Sequence, residues 1–134
     1  MVTDSLDDGI GAFKLDDAIG HLLRRAYQRT SATLISQLSE YDITPVQFAT
    51  LARLSEFGSV SQNHLGRLVD IEPGNFHGVV NRLLKRKLLV RQADAHDRRK
   101  IQLSLSDAGL KLIDVLIPMS EYATETTLAS LSNT

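Results

Sequence analysis

The sequence predicts a mainly α-helical fold with a small β-hairpin wing, a winged helix-turn-helix, and three observations predict it. First, the segment Glu72-Pro73-Gly74-Asn75-Phe76-His77-Gly78-Val79-Val80-Asn81-Arg82-Leu83-Leu84-Lys85-Arg86-Lys87 keeps its apolar residues at helical spacing. Its opposite face carries Asn75, His77, Gly78, Asn81, Arg82, Lys85 and Arg86, rich in donors and positive charge. Second, the β-prone run Leu88-Leu89-Val90 and the alternating run Ile101-Gln102-Leu103-Ser104-Leu105 flank a loop tipped with Arg98, Arg99 and Lys100. Third, the helix upstream is joined to this segment by only three or four residues, as in a helix-turn-helix. A basic helix followed by a basic-tipped hairpin is suited to holding DNA.

In chain order, residues 1–13 are expected to form a mobile acidic arm. The first helix is expected from near Leu15, with Asp16 and Asp17 in the turn where negative charge is favoured. Leu15, Ala18, Ile19, Leu22, Leu23, Ala26, Tyr27, Leu34 and Leu38 follow at helical spacing. So wide a stripe needs neighbours on two sides, which points to a subunit interface. Thr44-Pro45-Val46-Gln47 is a capping box with proline at the first helical position. Phe48, Leu51, Ala52 and Leu54 are that helix's buried face, and Gly58 is its stop. Ser61 caps a short helix whose Leu65, Leu68 and Val69 point inward, and Asp70-Ile71-Glu72 turns into the Pro73 helix. Pro73 suits a first helical turn because its missing N–H would have no partner there. After the hairpin, Ser106 caps a long helix with Leu110, Ile113, Leu116 and Ile117 apolar, continued by Tyr122, Leu128 and Leu131. Pro118 should kink or interrupt it. The expected organisation is an N-terminal arm and dimerisation helix over 1–39, a DNA-binding lobe over 40–105 and a C-terminal dimerisation helix over 106–134.

Composition narrows the function. A chain of 134 residues with 43% hydrophobic and 23% charged residues is one globular domain or one subunit of a compact oligomer. No apolar run approaches the ~18 residues that span a bilayer, so no membrane partner is expected. Five acids against one lysine in the first twenty residues are the wrong sign for a leader, which makes the cytoplasm the expected address. Cysteine is absent, excluding disulfides, thiolate metal sites and a thiol nucleophile. Net charge is −1, but from Ser61 to Lys100 nine Lys/Arg face four acids, while the rest of the chain holds six against twelve. Positive charge segregated onto one module is the footprint of a nucleic-acid contact. The competing reading is that Lys85-Arg86-Lys87 merely ends a helix where cations suit its dipole.

Pro73-Gly74 opening the helix, Asn81-Arg82-Leu83-Leu84 closing it, and Asp94-x-x-Asp97-Arg98-Arg99 before Leu103-Ser104-Leu105-Ser106-x-x-Gly109 resemble the MarR family of bacterial transcriptional regulators. The resemblance covers roughly residues 15 to 125. It implies a homodimer on a pseudo-palindromic operator, most often a repressor released by a small ligand. It also implies that Arg98 or Arg99 enters the minor groove with Asp97 buttressing one arginine. A further C-terminal helix is usual in the family, which would leave this chain truncated. Lack of cysteine excludes thiol-based peroxide sensing, one mode within the family.

Side chains near the start of a groove-bound helix reach base edges, so Asn75, His77 and Asn81 are the candidate readers. Gly78 departs from the larger polar residue of many relatives. Either backbone approach to DNA or a packing constraint would account for it. Arg82, Lys85 and Arg86 are candidates for phosphates, which position a protein without reading sequence. Arg82 pairing with an acid inside the fold is the alternative. Ser61, Gln62 and Asn63 could donate to phosphate as well. For the effector, His21, Arg24, Arg25, Tyr27 and Arg29 on the first helix and Arg53 on the second are the candidates. Arginine takes a carboxylate bidentately and Tyr27 could stack on a ring, whereas a solvated face or intersubunit ion pairs is the competing reading. The run from Leu15 to Ala26 resembles the first helix of MarR-type repressors of aromatic-acid catabolism, which implies an aromatic acid or an aryl-CoA thioester.

No cofactor or metal is expected. The histidines at 21, 64, 77 and 96 fall on four elements with no i, i+4 pair, which argues against a metal-responsive regulator. No Gly-x-Ser-x-Gly turn, phosphate loop or His-Glu-x-x-His appears, which argues against an enzyme. A winged-helix protein-interaction module without DNA binding would not need the Asn75, His77 and Asn81 face beside the wing cations.

Overall fold

The computed structural model describes residues 6–132, and side-chain surroundings from Asp17 to Ala129. The first five residues of the expected arm, Asn133 and Thr134 lie outside the described residues, as do the side chains of Leu15, Asp16 and Leu131. The described elements are α1 (Leu6–Ser39), α2 (Pro45–Phe57), β1 (Ser59–Ser61), α3 (Gln62–Leu68), α4 (Pro73–Lys85), β2 (Leu89–Ala93), β3 (Ile101–Leu105) and α5 (Asp107–Ser132).

Two expectations are corrected. The first helix is already formed at Leu6, so residues 6–13 are helical and not an irregular arm. Asp16 and Asp17 ahead of an apolar stripe have the chemistry of a first turn, which placed the expected start downstream. The second correction is to one of the two outcomes expected at Pro118, the interruption: α5 runs through it from Asp107 to Ser132. A single missing N–H removes one ladder bond, and the neighbouring turns hold the helix.

The chain groups into two compact units, one of residues up to Thr33 with those from Tyr122 on, the other Leu34–Glu121. This division falls inside α1 and α5, where the sequence placed its boundaries at the helix ends. The Leu34–Glu121 unit has a continuous core in which Leu38, Leu51, Leu54, Leu65, Phe76, Val80, Leu83, Leu103, Ile113 and Leu116 are sealed from solvent. Three helix exits feed it by one device. Asp42, Asp70 and Lys87 take left-handed backbone at φ 56°, 59° and 60°. In each case the next N–H returns five residues: Ile43 to the carbonyl of Leu38, Ile71 to Gly66, Leu88 to Leu83. This is the Schellman closure, and its following apolar residue dives inward. A left-handed non-glycine residue costs about 1–2 kcal/mol. Burial of Ile43 and Leu88 beside Leu38 and Leu83 offsets it.

The α2 start is the expected capping box: the Gln47 N–H donates to Thr44 Oγ1 at 3.2 Å and the Thr44 N–H to Gln47 Oε1 at 3.0 Å. Gly58 ends it at φ 82°, its N–H returned to the Leu54 carbonyl at 2.8 Å. The strand β1 that follows was not anticipated. It makes the wing a three-stranded antiparallel sheet of order β1-β3-β2, with Val60 opposite Leu103 and Arg91 opposite Leu103 on the other side. Of the alternating β3 residues Leu103 is buried, Leu105 half-buried and Ile101 exposed. At the far end of the sheet Ser106 does two jobs. Its hydroxyl donates to the Lys87 carbonyl at 2.6 Å and accepts the Gly109 N–H at 3.0 Å, capping α5 against the link between α4 and β2.

In the other unit Ala123 and Thr127 are buried, while Ile19, Leu22, Leu23 and Tyr27 of α1 and Tyr122 and Leu128 of α5 are exposed. No helix among the described residues is long and apolar enough to cross a membrane.

Candidate nucleic-acid interface

Helix α4 is oriented by its apolar face. Phe76, Val80 and Leu83 are buried, and Val79 and Leu84 are half-buried. The Phe76 ring comes so close to α3 that a methyl on Gly66 would lie 3.2 Å from Cδ2. With that face seated, Asn75 and His77 are exposed and Asn81 is half-buried. Two of the three expected readers, Asn75 and His77, are therefore on the outside of the fold, and Asn81 is only partly so. For Gly78 the packing explanation loses its ground: an added methyl would meet only the Arg82 Nη1, at 3.7 Å, the far end of a flexible side chain.

The basic residues of α4 divide. Arg82 and Lys85 are exposed and line an open hollow of about 350 Å³ with Asp42, Thr44, Gln47 and Arg86. Arg82 has no ion pair among the described residues, so the acid partner considered for it is not seen. Arg86 is already engaged: one guanidinium nitrogen donates to the Tyr41 carbonyl at 3.0 Å, another to the Asp42 carbonyl. It ties the end of α4 to the elbow between α1 and α2. A phosphate would have to compete with two carbonyls for it.

Ser61, Gln62 and Asn63 come together with Arg99 and Lys100 around a groove of about 510 Å³, joined by Ile101 and by Arg67. Ser61 spends its oxygen on the His64 N–H at 3.3 Å as the α3 cap. Gln62 reaches α4, its Nε2 3.4 Å from His77 Nδ1, and Asn63 is exposed. Arg67 was missed as a site residue. Its place one turn beyond Asn63 on α3 was the available signal.

The wing tip is built by two carboxylates. Asp94 accepts the His96 N–H at 2.7 Å and the Gln102 Nε2 at 3.0 Å. Backbone bonds from the Asp94 N–H to the Lys100 carbonyl and from the Lys100 N–H to the Asp97 carbonyl close the loop. Asp97 Oδ1 accepts both the Arg99 N–H at 3.0 Å and its Nε at 3.3 Å. Asp97 thus steadies Arg99, while Arg98, Arg99 and Lys100 all stand exposed. The His96 N–H, with help from the Asp97 backbone and Gln102, holds the Asp94 carboxyl below its ordinary 3.8. Such a group stabilises its folded surroundings above the unfolded pKa, and the effect disappears as pH falls through the lower folded value. The His96 amide resonance is therefore expected to titrate with a midpoint below pH 3.8. A midpoint at or above that value would show the wing bond to be unimportant.

Of the effector candidates, His21, Arg24, Arg25, Tyr27 and Arg29 lie on α1 within the first unit, with Arg25 and Arg29 half-buried and the others exposed. Arg53 is on α2 in the second unit, its Nη1 paired with Glu56 Oε1 at 2.9 Å on the surface.

The sequence profile described as MarR family matches residues 41–100. The HTH-type transcriptional repressor NicR of Pseudomonas putida is 34% identical over 120 residues, covering 90% of this chain and 76% of that protein. Among solved structures, BpsR of Bordetella bronchiseptica, whose DNA binding is regulated by 6-hydroxynicotinic acid, is 36% identical with a TM-score of 0.70, over 81% of this chain and 78% of that one. A probable transcriptional regulator from Pseudomonas aeruginosa is 40% identical with a TM-score of 0.71, over 87% and 86%.

Proposed function

The chain belongs to the MarR family of transcriptional regulators, not to an enzyme family, and from that premise we propose that it is a dimeric repressor acting in the cytoplasm, relieved by a small aromatic acid. The observation that carries the DNA-binding part is the outward face of α4, where Asn75 and His77 are exposed above a seated apolar side and the wing cations stand exposed as well. In this reading α4 enters the major groove, with Asn75, His77 and Asn81 at base edges and Gly78 allowing the backbone close. Arg82, Lys85, Arg67 and Asn63 hold phosphates, and Arg98, Arg99 or Lys100 reaches the minor groove. Two subunits would read half-sites about 10 base pairs apart, centre to centre.

The effector class is narrowed by the relatives. Regulation of BpsR by 6-hydroxynicotinic acid supports a hydroxylated pyridine carboxylic acid over a CoA thioester as the first compound to try. A carboxylate of that kind suits arginine, and its ring suits Tyr27, so His21, Arg24, Arg25, Tyr27, Arg29 and Arg53 remain the residues to substitute. Fluorescence polarisation with the protein's own promoter tests both parts. Salt-sensitive binding that 6-hydroxynicotinic acid weakens is the expected result. Absence of binding sinks the DNA reading, and binding indifferent to hydroxypyridine and benzene carboxylates alike sinks the effector.

Arg99→Ala is expected to weaken operator binding about tenfold and to flatten its salt dependence. Each lost phosphate contact removes roughly 0.9 from the log–log salt slope, hence about 2 per dimer. An unchanged slope would mean that Arg99 does not touch the backbone.

A further inference from the structure

We propose that Arg86 is a positioning residue for DNA recognition. It locks the end of α4 to the turn that ends α1, and so holds the donor face of α4 in place without touching a phosphate itself. The proposal rests on α4 being the groove-bound helix. Arg86 Nη2 donates to the Tyr41 carbonyl at 3.0 Å, and Nη1 donates to the Asp42 carbonyl. No carboxylate among the described residues forms an ion pair with it. The guanidinium is therefore spent on two backbone acceptors more than forty residues away, and a charged donor makes such bonds strong.

Both ends of the bridge are fixed backbone within the Leu34–Glu121 unit. The acceptors belong to the exit of α1, where Asp42 is left-handed and its N–H returns to Ser39, as that of Ile43 does to Leu38. The donor is the C-cap residue of α4, followed by left-handed Lys87 and by the return of the Leu88 N–H to Leu83. Leu38, Ile43, Leu83 and Leu88 are all buried in one core. A single guanidinium thus joins two helix exits above the core they share, at ends where the helix dipoles favour a cation. Its planar fork sets direction as well as distance, which an ammonium does not.

The apolar face of α4 decides which side turns inward, through Phe76, Val80 and Leu83, but apolar burial has no direction of its own. Small rolls and tilts of the helix are left to other contacts. Arg86, three residues beyond Leu83, supplies one that is directional. Hydrogen bonds from Asn75, His77 and Asn81 to base edges weaken steeply when angles open, so they depend on that restraint. Contacts to phosphates follow charge and carry no sequence information. Loosening the end of α4 therefore removes selectivity and spares non-specific binding.

The test uses a duplex that the wild-type protein selects from a randomised library, and a scrambled duplex of the same composition. Affinities of the full-length wild type, Arg86→Lys and Arg86→Ala for both are measured across a salt series. Arg86→Lys keeps the charge and loses the fork. It is expected to bind the selected duplex about tenfold more weakly, the scale of one good base contact, with an unchanged salt slope. Its affinity for the scrambled duplex should stay within about twofold of wild type, because that binding follows charge. Arg86→Ala should lose the same selectivity. A phosphate contact predicts the reverse: Arg86→Lys near wild type, and Arg86→Ala weaker on both duplexes with the slope lower by about 2 per dimer. A role in stability alone weakens both duplexes together and leaves their ratio unchanged. Either pattern overturns the proposal. NMR gives an independent reading, since the Arg86 Nη protons should be held in slow rotation before DNA is added; a freely rotating guanidinium also overturns it. A wild-type protein that enriches no duplex sinks the DNA-binding reading together with this one. A selective wild type with an equally selective Arg86→Lys sinks this one alone.

Discussion

Gly109→Ala is expected to destabilise the DNA-binding unit by about 3–4 kcal/mol, a large share of the ~5–15 kcal/mol that holds a domain of this kind together. An added Cβ would sit 2.2 Å from the Leu88 carbonyl oxygen and 3.2 Å from its carbon. Neither neighbour can yield cheaply. The Leu88 oxygen accepts the Ser106 N–H at 3.0 Å, and the Leu88 N–H is tied to Leu83 at 3.0 Å. The overlap must therefore be relieved by moving the first turn of α5 off Leu88, breaking the Ser106 contacts to Lys87 and Gly109 as well. Overpacking of a rigid site costs about 1–3 kcal/mol and each hydrogen bond lost about 1 more. Urea unfolding of wild type and variant measures this directly. A difference below about 1 kcal/mol would mean that α5 has room to shift, and the close approach would then have no structural importance.

Leu23→Glu is expected to convert the protein to a monomer and to lower operator affinity by roughly 10²–10⁴, because joining two half-site readers makes the second binding event intramolecular. Leu23 is 66% exposed and Tyr27 75%, with Ile19 and Leu22 beside them on α1 and Tyr122 and Leu128 exposed on α5. So much exposed apolar surface on two helices of one unit is the mark of an interface. A second copy of the chain covers it in the dimer we propose. A carboxylate placed there would be buried without a partner, at a cost of several kcal/mol for each subunit. Light scattering reports the assembly and an operator titration the affinity. A variant that stays dimeric with normal affinity would remove these residues from the interface. One that becomes monomeric yet binds the full operator as tightly would remove the need for a dimer.

Much of the DNA-binding unit was legible because its signals are local. The Thr44/Gln47 capping box, Gly58, the Ser61 cap and Pro73 each place a helix end within one turn, and each stands where expected. The apolar spacing of Phe76, Val80 and Leu83 chose the buried face of α4, and so left Asn75 and His77 outside. The α1 start was missed for an equally local reason, since Asp16 and Asp17 have first-turn chemistry yet lie inside a helix that begins at Leu6. The exits at Asp42, Asp70 and Lys87 carry no glycine to announce them. Strand β1 has a single apolar residue, and its identity as a strand comes from β3, more than forty positions later.

What the sequence determined unaided is the set of parts and their chemistry: the helices of the winged unit, the cationic hairpin, and a donor face opposite an apolar one. Those follow from periodicity, capping and charge, all of which act within a turn or two of the chain. Only the tertiary structure decided the assignments that need residues far apart to meet. It engaged Arg86 with the carbonyls of Tyr41 and Asp42, brought Gln62 to His77, added Arg67 to the groove of Arg99 and Lys100, and set Gly109 against Leu88. A hydrogen bond or a steric overlap depends on tenths of an ångström between atoms, and residue type and spacing along a chain leave that distance undetermined until the core has closed.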